Sequence, residues 1–113
     1  MNEFLYLYRG GQRGESPEQS QQIMQKWLAW MKDLTASGNL KGPGQPLELE
    51  GKVVKGKGAT VTDGPFAEAK DLVGGFTIVV ADSLAHAAKL AGGCPILEVE
   101  GSVEVRPVMK MEM

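Results

Sequence analysis

The sequence predicts an α+β fold of ferredoxin-like type, with two helices on one face of an antiparallel sheet. Three observations predict it. Alternating, strand-like segments open and close the chain, at residues 3–9 and 102–113. Two amphipathic segments with capping residues at their starts and glycines at their ends set the order β, α, a β-rich middle, β, α, β. The inner strands are apolar on both faces, so both need cover, and two helices can cover only one.

The chain has 113 residues, which suits one domain spanning 1–113 with a modest core. Its 42% hydrophobic and 23% charged content argues against disorder. The formal net charge of −2 gives no electrostatic case for nucleic acid or an anionic membrane as partner. No apolar run approaches the ~18 residues of a spanning helix, and the N-terminus lacks a signal-peptide pattern. The single cysteine, Cys94, excludes an internal disulfide and fits a reducing, cytoplasmic compartment. No metal-ligand spacing, nucleophile triad or phosphate loop is present, so neither metal nor cofactor is expected.

The first strand places Phe4, Tyr6 and Tyr8 on one face and Leu5 and Leu7 on the other. The loop after it holds Gly10, Gly11 and Gly14 with Arg9 and Arg13. Such a loop can cradle an anion, but it lacks P-loop and dinucleotide spacing, and a plain connection is the commoner reading. Ser16-Pro17-Glu18-Gln19 is a helix start, with Ser16 as cap and Pro17 in the first position. Ile23, Trp27, Trp30, Met31 and Leu34 then form one apolar stripe that Gly38 ends. A helix-on-sheet core explains the tryptophans more simply than a pocket wall does.

Residues 39–62 read as β-rich and broken by glycine, with KVVK and ATVT flanking a three-residue hairpin loop, Gly56-Lys57-Gly58. Lys52, Lys55 and Lys57 read as a solvated hairpin edge. Asp63-Gly64-Pro65 is turn chemistry, and Phe66, Glu68, Lys70 and Asp71 follow it. Gly74-Gly75 predicts a close backbone approach at one of the two positions, or a positive φ. The strand that follows is apolar on both faces, Phe76, Ile78 and Val80 opposite Thr77, Val79 and Ala81. Asp82 or Ser83 then caps a second helix, with Leu84, Ala87, Ala88 and Ala91 inward. His86 reads as a surface histidine and Cys94 as a small packed group. In the last strand Val103, Val105, Met109 and Met111 oppose Glu104, Arg106, Val108, Lys110 and Glu112. Pro107 predicts an edge position.

The stretch DGPFAEAKDLVGGF, with YLYR in the first strand, the helix ending in CP and SVEVRPV near the end, resembles the DGPF branch of the YCII-related family over nearly the whole chain. The resemblance implies a ferredoxin-like subunit that pairs through its sheet face as a dimeric α+β barrel. Some relatives are associated with extracytoplasmic-function sigma factors. The wider family includes a lyase that eliminates halide from a muconolactone, with a His–Asp pair suspected of acid–base chemistry. The histidine lies on the first helix in a pattern like HLARLKQL; here the chain reads WLAWMKDL, so Trp27 stands in its place. Asp63 matches the aspartate.

Two functions therefore remain open. One is an enzyme acting on a small carboxylate or lactone. Asp63 would be its base, Arg9 or Arg106 would anchor a carboxylate through the guanidinium fork, and Tyr6, Tyr8, Trp27, Trp30 and Phe66 would wall the pocket. The other is a non-catalytic module that binds a metabolite or regulates a partner. The bland alternative is that Asp63 caps its turn while Glu68, Lys70 and Arg106 form ion pairs at a dimer seam.

Overall fold

A computed structural model describes residues 1–11, 16–64 and 71–111. The strands are β1 (Asn2–Gly10), β2 (Leu40–Gly42), β3 (Gly51–Lys55), β4 (Thr60–Gly64), β5 (Val73–Ala81) and β6 (Gly101–Pro107). The helices are α1 (Pro17–Ala36) and α2 (Leu84–Ala91), and a short 3-10 helix spans Pro95–Val99. The main sheet is antiparallel in the order β2-β5-β1-β6, the ferredoxin-like arrangement, while β3 and β4 form a separate hairpin.

Local chemistry accounts for the helix ends. The Ser16 hydroxyl accepts from the Gln19 N–H at 3.2 Å, and the Ser83 hydroxyl accepts from the His86 N–H at 3.1 Å. Between α1 and β2, Asn39 is buried and fully bonded. Its Nδ2 donates to the Val80 carbonyl at 2.8 Å and its own carbonyl accepts from the Val80 N–H at 2.8 Å. This tie fixes the end of α1 against β5.

The core lies between the helices and one sheet face. Phe4, Tyr6, Tyr8, Val79 and Ala81 from the sheet meet Trp30 and Leu34 of α1 and Ala87 and Ala91 of α2. Of the four residues expected inward on α2, Leu84 and Ala88 are exposed, and Leu90 packs on the core in addition to the two alanines. Only a narrow stripe of the helix is therefore covered. Cys94 is buried, in keeping with a packed thiol.

Three expectations change. The hairpin loop has four residues, not three, because Ala59 joins it with φ 51° and donates its N–H to the Gly56 carbonyl at 3.0 Å. The register then sets Lys52 opposite Asp63 and Val54 opposite Val61. β6 ends at Pro107, opposite Phe4, so Met109 and Met111 are not on the strand; Pro107 takes a position whose N–H would face away from β1, and the Val108 N–H beyond it still donates to the Glu3 carbonyl at 3.0 Å. The Pro95–Val99 helix, not expected from the sequence, begins on Pro95 itself, whose fixed φ suits a first helical position.

Among the described residues no helix covers the second sheet face. Leu5 and Leu7 of β1 and Phe76, Ile78 and Val80 of β5 form a partly exposed apolar strip on it, with Leu5 opposite Ile78 and Leu7 opposite Phe76. Charged residues flank the strip, including Glu3 and Lys41, paired at 2.9 Å.

Candidate functional site

β1 alternates, so Tyr6 and Tyr8 point to the helices while Leu7 and Arg9 point to the open face. Opposite Leu7 on β6 stands Glu104, and opposite Leu5 stands Arg106. Three charges thus meet at the rim of the apolar strip. The Arg9 Nε donates to Glu104 Oε1 at 3.0 Å, and the Arg106 Nη1 donates to Glu104 Oε2 at 3.2 Å. Hydrogen bonds from Arg106 and Arg9 hold the Glu104 carboxyl below its ordinary pKa. The Arg9 Nη1 also donates to the Asp71 carbonyl at 2.7 Å. Arg9 is thereby fixed at two points, at the end of β1 where residues 71–73 pass.

Arg9 borders a cleft of about 480 Å³ with Leu47, Glu48, Glu50, Asp71, Leu72 and Val73. A second hollow, of about 470 Å³, is bordered by Glu50, Gly51, Lys52, Asp63 and Gly64. Glu50 belongs to both, so Arg9 and Asp63 line neighbouring depressions. Asp63 itself is a strand residue on the exposed hairpin, with its side chain 85% exposed and ion-paired to Lys52. Such a pair is held weakly in water.

The aromatic candidates lie on the opposite side of the sheet. The Tyr6 hydroxyl donates to the Ala87 carbonyl at 2.5 Å, and the Tyr8 hydroxyl donates to Thr77 Oγ1 at 2.7 Å. Burial pushes the Tyr6 pKa up to about 12 and raises that of Tyr8 as well, so both phenols stay neutral. Trp27 stands edge-on to Tyr8, centroids 4.8 Å apart, and Trp30 stacks on Tyr6 at 6.0 Å. These four rings form one aromatic cluster of the core. Burial likewise raises the Cys94 thiol to about 11. His86 is held at the start of α2, where its Nδ1 accepts from the Asp82 N–H at 3.2 Å.

The candidates therefore fall in three places: Arg9 and Arg106 on the open face, Asp63 on the hairpin, and Tyr6, Tyr8, Trp27 and Trp30 in the core. Phe66, with Glu68 and Lys70 of the expected ion-pair network, lies outside the described residues. Glu104 and Glu50 were not singled out from the sequence. Glu104 had a usable signal, since it stands two residues before Arg106 on the same strand face and opposite the same face of β1. Glu50 had none, because its place depends on how the hairpin base meets residues 71–73. Among the described residues no group of three or more His, Cys, Asp or Glu could hold a metal ion, and no helix is long and apolar enough to cross a membrane.

Fold and site together define a ferredoxin-like α+β domain with one helix-covered and one open sheet face, with Arg9 and Arg106 on the open side. The chain belongs to the YCII-related domain family, whose profile matches residues 3–112. No curated protein matches it.

Proposed function

We propose that the protein is a small-molecule-binding module that works as a homodimer, two copies meeting through the open sheet face. TDGPFAEAK and the following GGF support its placement in the DGPF branch of the family. One observation carries the binding role: Arg9 sits at the rim of the apolar strip and of the cleft at once, held in place by Glu104 and the Asp71 carbonyl. A pre-positioned guanidinium at the edge of a cleft is suited to a carboxylate or carbonyl group. Three carboxylates border the same cleft, which favours a small ligand carrying a single acidic or carbonyl group over a multiply charged anion.

Acid–base turnover through Asp63 is the second reading, favoured by the hollow that adjoins the Arg9 cleft. The binding reading stands ahead of it because Trp27 replaces the helix histidine, the chain's one histidine is engaged with Asp82, and the Asp63 carboxylate is engaged by Lys52. Thermal-shift and calorimetric titration with a panel of small monocarboxylates and lactones separates the two. The wild-type chain is expected to be stabilised by at least one member. Arg9→Gln should lose that response, while Asp63→Asn should keep binding. If Asp63→Asn binds but abolishes conversion of a lactone, the enzymatic reading replaces the simpler one. An Arg9→Gln variant that binds as wild type does would remove the arginine from the site.

A further inference from the structure

We infer that the β3–β4 hairpin is an arm that packs against the same arm of a second copy about a two-fold axis, an inference that rests on the homodimer proposed above. Across Gly51–Gly64 only Val53 and Gly64 are even partly covered, and neither strand pairs with the main sheet. A lone two-stranded ribbon is marginal in water unless a face is covered. One face of the arm carries Val54 and Val61, directly opposed in register and 63% and 59% exposed. The charges are laid out to match a second arm running the other way. On the valine face Lys52 and Asp63 stand opposite each other and are ion-paired, so the charges at the tip and at the base decide which way a second arm runs. The tip residue Lys57 lies three residues beyond Val54, and the base residue Glu50 lies four residues before it.

At roughly 3.3 Å per strand residue, tip and base are therefore nearly equidistant from the valine pair, on opposite sides of it. A two-fold axis through the valines brings Lys57 of each copy towards Glu50 of the other, with Glu48 beside it, and sets valine on valine. The surface is thus self-complementary, as an isologous contact requires. A parallel arrangement would instead set lysine against lysine. The valine patch is small, so it acts between copies that the sheet face already holds together, where the local concentration is high.

Disulfide trapping tests the arrangement. A tagged Lys57→Cys chain and an untagged Glu50→Cys chain are mixed, allowed to exchange subunits and mildly oxidised. Cys94, 2% exposed, stays out of the reaction. Tip-to-base heterodisulfides are expected in several-fold excess over tip-to-tip and base-to-base products, with the excess shrinking when Val54→Asp is added to both chains. A dimer that gives no heterodisulfide, or mainly tip-to-tip product, overturns the arm contact and leaves the sheet-face dimer standing. A protein that is monomeric before oxidation overturns both.

Discussion

Gly44→Ala is expected to lower stability by about 3 kcal/mol, the largest loss among the described glycines, because two penalties coincide there. Gly44 has φ +68°, a left-handed conformation that a residue with a Cβ adopts at a cost of ~1–2 kcal/mol. A Cβ built there would also stand 1.7 Å from the Phe76 carbonyl oxygen, so the backbone of the β2–β5 edge must part. That edge carries the Leu47 N–H to Gly74 carbonyl bond at 2.8 Å and the Thr77 hydroxyl to Pro43 carbonyl bond at 3.1 Å, and both would be strained. The Gly74–Gly75 pair provides internal controls. At Gly75 an added Cβ meets the Gln45 carbonyl oxygen at 3.0 Å and the Pro46 Cα at 3.2 Å, so Gly75→Val should cost about 2 kcal/mol. At Gly74 the nearest atom is 4.0 Å away, so Gly74→Val should fall within about 0.5 kcal/mol of wild type. Urea denaturation gives the order directly, and equal midpoints for the three variants would contradict it.

Trp30→Ala is expected to cost about 4 kcal/mol and Trp27→Ala about half as much, in line with losses on truncating large core aromatics. Trp30 is 7% exposed, stacks on Tyr6, meets Tyr8 and Trp27 edge-on, and donates its Nε1–H to the Leu90 carbonyl at 3.4 Å. Its loss would open a void between both helices and β1. Trp27 is only partly buried, and its removal uncovers Tyr8 on one side. Both rings lie across the sheet from Arg9, so neither truncation should alter an Arg9-dependent ligand response once the variant is folded. Loss of that response in Trp27→Ala alone would return Trp27 to the pocket.

The fold was legible because its signals are local. Strict alternation assigned Tyr6 and Tyr8 to one face of β1 and Leu5 and Leu7 to the other, and the Ser16 cap with Pro17 fixed where α1 starts. The site was legible only in pieces. Arg9, Arg106 and Asp63 were found by residue type, but which of them share a surface depends on register and on tertiary placement. The hairpin illustrates this. A three-residue loop sets Lys52 opposite Thr62, whereas the left-handed Ala59 adds one residue to the turn and brings Lys52 opposite Asp63. One residue in a turn thus decides which side chain faces Lys52 across the ribbon. The aromatic residues misled for a related reason. A buried Tyr or Trp reads the same in sequence whether its polar atom meets a ligand or a core carbonyl, and here Tyr6 meets that of Ala87.

The apolar strip of Leu5, Leu7, Phe76, Ile78 and Val80 between charged borders is what two copies would share, and the Arg9–Glu104–Arg106 network would lie at the rim of that seam. The mass of the native particle tests this most directly. Light scattering or native mass spectrometry at micromolar concentration should give twice the 12.1 kDa chain mass, and Leu7→Asp, which sets a carboxylate on the strip opposite Phe76, should return a folded single chain. A wild-type particle of one chain mass at that concentration would contradict the account.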